Sequence, residues 1–194
     1  ITDEDLVARA RSGDEGAFAE LVTRYSPRVY RLASRFTGGG ANAEEVLQET
    51  FLRVYRKLDS FRGDAKFSTW LYRIATNCAL MLLRKNQQRR TESLDALPDF
   101  ADTGYFAGAD LDHGKVARAD ELLDREQLVR IVLLGLKKLP DIYQAVFVLR
   151  DLEELSTEET ATVLRLAPGT VLQRLHRARL MLRAHLAQVT GDRA

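Results

Sequence analysis

Apolar residues recur every three or four positions along most of this chain, and that spacing, more than any other feature, restricts what it can fold into. Side chains spaced in this way share one face of an α-helix, whereas a half-buried strand would alternate by two. The rhythm lapses between Thr91 and Arg118, where Gly, Asp, Ala and Pro are frequent. That stretch is longer than a compact domain tolerates as a loop. With only four prolines in 194 residues, the chain reads as all-α. Two small helical domains are expected, at residues 1–92 and 120–190, joined by a flexible acidic linker at 93–119.

Individual boundaries follow from caps. Thr2 and Asp14 can each cap a helix, and the second is expected to kink or restart at Pro27 and to end at Gly38, Gly39 and Gly40. Asn42 and Glu45 have the spacing of a capping box, opening a helix with the stripe Leu47, Phe51, Val54, Tyr55 and Leu58. Ser68 is expected to cap a long helix to about Arg90, burying Phe67, Leu71, Ile74, Cys78 and Leu82. In the second half Pro140 separates two helices. Ser156 and Glu159 repeat the capping-box spacing, and Pro168 suits a first helical position.

Net charge is only +1, but the charges are segregated. No acid stands between Asp64 and Glu92, and none between Glu159 and Asp192, while the intervening stretch from Thr91 to Gly114 has acids and no Lys or Arg. Two basic blocks flanking an acidic one form an electrostatic footprint that the average hides.

Each basic block carries a constellation. From Ser156 to Leu182 a short capped helix, a tight turn and a second helix succeed one another, apolar at Val171, Leu175, Ala178 and Leu182. That is the pattern of a helix-turn-helix, although a plain helical hairpin with a solvated basic face would read alike. Gln173, Arg174, His176 and Arg177 are expected to face outward toward base edges, with Arg165 and Arg179 near phosphates. In the other block Phe61, Phe67, Trp70 and Tyr72 lie among Arg62, Lys66, Arg73, Arg84 and Lys85. Rings that stack on bases and cations that track a backbone suit unpaired DNA. Phe67 is expected in the core instead, and Trp70 fits either role.

Residues 42–56 (NAEEVLQETFLRVYR) and 60–75 (SFRGDAKFSTWLYRIA) resemble conserved region 2 of the extracytoplasmic-function sigma factors, a subfamily of the sigma-70 family. The stretch from Leu139–Pro140 through Val148–Ser156, and then the run Gly169–Arg179, resemble region 4. The resemblance implies a transcription initiation factor that binds core RNA polymerase, recognises the −10 and −35 promoter elements and promotes melting. Glu45, Gln48, Glu49 and Arg53 would grip the clamp helices of the largest subunit, and the flap of the second-largest subunit would be a further contact. Phe61 and Asn77 would line a pocket for a flipped base. Thr170, Leu172, Gln173, His176 and Arg177 would read the −35 element. The acidic linker would thread toward the RNA exit path. An anti-sigma factor is an expected partner. Leu172 replaces the family's usual Lys or Arg, and Met81 its usual Asp or Asn, which implies an unusual promoter sequence.

Other classes find little support. A lone Cys78 allows no internal disulfide and fits a reducing cytosol. His113, His176 and His185 lack metal-ligand spacing with it, and Gly38 to Gly40 lack the lysine of a phosphate-binding loop. No cofactor, metal, enzymatic activity, signal peptide or membrane insertion is expected, and a cytoplasmic location is. Two rivals are a dimeric repressor or activator built on the helix-turn-helix, and a sigma mimic that sequesters an anti-sigma factor.

Overall fold

Helix α1 (Asp3–Arg11) starts at a complete capping box: the Asp5 N–H donates to Thr2 Oγ1 at 3.2 Å, and the Thr2 N–H donates back to the Asp5 carboxylate. Asp14 caps α2 (Glu15–Thr37) through the Ala17 N–H at 3.0 Å. Two further helices, α3 (Ala41–Lys57) and α4 (Phe67–Ser93), complete an N-terminal bundle around Leu21, Leu32, Phe36, Val46, Val54 and Leu71. The computed structural model describes residues 1–93 and 125–191. Apart from Ser93, the linker expected at 93–119 lies outside the described residues, as does the expected domain start at 120.

Three boundaries differ from expectation. Pro27 neither ends nor restarts α2, which is continuous across it, with Tyr25, Val29, Leu32 and Phe36 buried on either side. Burial of one continuous stripe outweighs the single hydrogen bond that proline removes. The Asn42–Glu45 capping box does not form: Gly40 occupies the cap position and Asn42 lies inside α3. Ser68 likewise lies inside α4, which begins at Phe67 with the Trp70 N–H donating to the Lys66 carbonyl. Gly38 ends α2 in the left-handed region at φ 89°, a conformation that a side chain would strain.

The C-terminal half comprises α5 (Arg125–Leu136), α6 (Asp141–Phe147), α7 (Thr157–Leu164) and α8 (Pro168–Gly191). A π-turn over Val148–Leu152, which periodicity did not foretell, extends α6. Gly135 lets α5 approach α8 closely, since a Cβ there would lie 2.7 Å from the His185 ring. The Ser156–Glu159 capping box forms as expected, with bonds of 3.0 and 2.9 Å.

The two halves are not held apart. Ala145, Val148, Leu149 and Val163 belong to the same apolar cluster as Leu71, Ala75 and Leu82, and α7 lies against α4. Each such Val or Leu taken from water contributes up to about 1.5–3 kcal/mol. Polar contacts line the same seam: Arg84 to Asp141 at 2.8 Å, the Gln144 amide to the Phe36 carbonyl at 3.5 Å, and Tyr72 to Glu153 at 3.2 Å.

Candidate nucleic-acid interface

The loop between α3 and α4 folds over the start of α4 because its aromatic side chain is drawn into the bundle. Phe61 packs edge-on against Phe67 at 5.8 Å and tilted against Trp70 at 5.2 Å. Phe67 is 2% exposed and is core, as expected. Trp70 is 9% exposed, mostly buried, yet it borders a cleft of about 330 Å³ with Ser60, Phe61, Arg62, Thr69 and Arg73. Two aromatic edges and two guanidiniums around a space of that size suit a stacked base and its phosphate. Thr162, from α7, also lines the cleft.

Asn77 is exposed on α4, two turns beyond Trp70 and outside that lining. Lys66, Arg84 and Lys85 are exposed, but two are engaged: Arg84 with Asp141, and Lys85 with Glu45 at 3.9 Å. Met81 is exposed, its sulfur 3.4 Å from an Arg53 nitrogen.

On α3 the residues expected to grip polymerase lie together. Glu45 and Gln48 are exposed, and Glu49 pairs with Arg53 at 2.5 Å, which raises the arginine's pKa further above its usual value. The same face exposes Leu52 and Tyr55, the latter 63% exposed with its ring edge-on to Phe18. Sequence reading took Tyr55 for core and passed over Leu52. Leu52 stands four residues after Gln48, and Tyr55 three after Leu52, which was the available signal.

In the C-terminal half the turn between α7 and α8 is built by Arg165 at φ 55°, with the Leu166 N–H bonded to the Ala161 carbonyl at 3.0 Å. Beyond it α8 buries Val171, Leu175, Ala178 and Leu182, as its pattern predicts. Leu172, Gln173, His176 and Arg177 are exposed, while Thr170 and Arg174 are partly buried. Arg165 is exposed at the turn. The arrangement is that of a helix-turn-helix presenting one helix face outward. Arg177 also bonds the Tyr143 hydroxyl at 3.3 Å. Arg179 makes a two-point pair with Asp151 at 2.8 and 2.7 Å, so this side chain braces α8 against the π-turn.

Among the described residues no cluster of His, Cys, Asp and Glu could hold a metal, and no helix is long and apolar enough to cross a membrane. Cys78 is buried, and burial pushes its thiol pKa up.

Known proteins share this organisation. Residues 21–90 match the family model described as Sigma-70 region 2, and residues 130–182 match that of Sigma-70, region 4. The ECF RNA polymerase sigma-E factor of Escherichia coli (strain K12) is 40% identical over 179 residues, 92% of this chain and 91% of the relative. The ECF RNA polymerase sigma factor SigW of Bacillus subtilis (strain 168) is 37% identical over 186 residues, 93% and 94%. Among solved structures, CnrH in complex with the cytosolic domain of CnrY superposes with TM-score 0.67 and 30% identity, over 96% of this chain and 97% of that one. The sigma factor RpoE in complex with the anti-sigma factor NepR, from Bartonella quintana, has the same fold with TM-score 0.60 at 20% identity, over 87% and 96%. With both regions in order and relatives this close over nearly its full length, the chain belongs to the extracytoplasmic-function sigma factors of the sigma-70 family, the transcription initiation factors that direct RNA polymerase to promoters.

Proposed function

We propose that this chain divides promoter recognition between its halves, residues 1–92 serving core binding and the −10 element and residues 120–190 the −35 element. The observation that carries this reading is the pairing of two unlike DNA-suited surfaces on one chain. A cleft bordered by Phe61, Trp70, Arg62 and Arg73 suits an unpaired base, and the exposed face of α8 suits the major groove.

On α3, Glu45, Gln48, Glu49 and Arg53, joined by Leu52 and Tyr55, form the surface for the clamp helices of polymerase. Lys66, Arg84 and Lys85 track the backbone of the melted strand beyond the cleft, and Asn77 contacts a base there. Gln173, His176 and Arg177 contact base edges of the −35 duplex, Leu172 contacts apolar groups, and Arg165, Thr170 and Arg174 contact backbone. Arg179 serves as a brace. Because bases are bound more tightly unpaired than paired, differential affinity drives melting without nucleotide hydrolysis. The chain acts by binding, with no catalytic step of its own, in the cytoplasm. Its partners are core polymerase, promoter DNA and, by analogy with RpoE in complex with NepR, an anti-sigma factor.

Position-specific substitution tests the division. Arg177→Ala in holoenzyme is expected to weaken promoter binding by about 1–3 kcal/mol and to relax preference at one −35 position. Asn77→Ala is expected to change base preference only within the −10 element. Equal losses on every promoter sequence would reduce both to backbone contacts and refute the assignment.

A further inference from the structure

One carboxylate in the C-terminal half is held entirely by groups of the other half. The Glu153 side chain is 2% exposed. Its Oε1 lies 2.7 Å from Arg35 Nη1 and 3.7 Å from Arg31 Nε, charge contacts without hydrogen-bond alignment, and its Oε2 accepts a hydrogen bond from the Tyr72 hydroxyl at 3.2 Å. Arg35 and Arg31 come from α2 and Tyr72 from α4, so two cations and one hydroxyl on two helices converge on one anion. Arg28 continues the row one turn earlier on α2, over the Tyr25 ring, and lines the cleft around Glu153 together with Ser68, Thr69 and Tyr72.

A carboxylate buried this deeply needs such donors, since an unpaired charge away from water is strongly destabilising. The donors do not need this carboxylate. Released from it, the arginines would face solvent on an α2 surface and could take any anion of similar shape. Arginine pairs with phosphate as readily as with carboxylate.

The position of the cradle indicates which anion. Thr69 lines both this cleft and the one bordered by Phe61 and Trp70, so the two are contiguous around the start of α4. The C-terminal half lies over both, with Thr162 at the first and Glu153, Glu154 and Glu159 at the second. It also engages Arg84 through Asp141 further along α4.

We propose that Arg28, Arg31 and Arg35 form a phosphate track for the backbone of single-stranded DNA, which Glu153 occupies as a phosphate surrogate while the two halves are closed. The track extends the strand's path from the aromatic cleft onto α2, and DNA and Glu153 compete for the same donors. The proposal rests on the reading of that cleft as a single-strand site.

The test is fluorescence anisotropy of the full chain with a fluorescein-labelled oligothymidylate of about twenty nucleotides, long enough for such a site, across a salt series. Glu153→Gln and Glu153→Arg are each expected to tighten binding about fivefold or more. Adding Arg31→Ala and Arg35→Ala to the Glu153→Gln chain should abolish the gain and lower the salt slope by about 1.4, the value for two phosphates on a single strand. Binding that stays at the wild-type level in both Glu153 variants overturns the proposal, as does a gain that survives loss of both arginines. Run-off transcription by wild-type holoenzyme separates the two levels. If it is absent, the underlying function is wrong. If it is present while the arginine result fails, the track alone is wrong.

Discussion

At the scale of single residues, burial decides most roles. Cys78 sits among Thr50, Arg53 and the core, and burial raises its thiol pKa. A raised pKa leaves less thiolate at neutral pH, and the thiolate is the reactive form. Alkylation of native protein at pH 7 is therefore expected to be at least tenfold slower than in denaturant, followed by mass spectrometry; equal rates would contradict the burial. Sequence alone made Cys78 a buried apolar residue, because it falls in step with Leu71 and Leu82. It put Arg177 toward base edges and Arg179 near phosphates, two residues apart on one basic helix, but it did not show that Arg179 is held within the chain. The difference comes from Asp151, a partner brought in by the π-turn. Glu153 was equally illegible, since nothing local marks one glutamate among neighbours as the buried one.

Elements were legible where local chemistry alone sets them. The boxes at Thr2–Asp5 and Ser156–Glu159 form because a side chain and a backbone N–H three residues apart satisfy each other whatever surrounds them. Ser156→Ala is expected to destabilise the chain by about 0.5–2 kcal/mol in urea unfolding, whereas Asn42→Ala, which removes no cap, should change it little. Similar losses in both would contradict the assigned boundaries. Elements were misread where tertiary packing overrides a local signal. At Pro27 the restart expected beside a kink does not occur, and α2 spans it because Tyr25 and Val29 bury together. Gly40 displaced Asn42 as the cap, since a left-handed chain entering from Gly38 and Gly39 starts the helix two residues before Asn42 would.

At the scale of the whole molecule, the order of elements was legible and their mutual packing was not. Periodicity shows that a face is buried, but not against which partner. A second domain is expected at 120–190, and its Leu149 and Val163 pack in one apolar cluster with the N-terminal bundle. The same limit hid the cover that the C-terminal half places over the aromatic cleft. A closed chain of this kind presents α8 but covers part of α4, so the proposed two-element recognition would require the halves to separate. The most direct measurement is in vitro transcription by core polymerase reconstituted with this chain on a randomised promoter library. The account predicts start sites preceded by two constrained elements at a fixed spacing, with Trp70→Ala relaxing only the proximal one and Arg177→Ala only the distal one. Initiation no different from core polymerase alone, or a single constrained element insensitive to both changes, would contradict it.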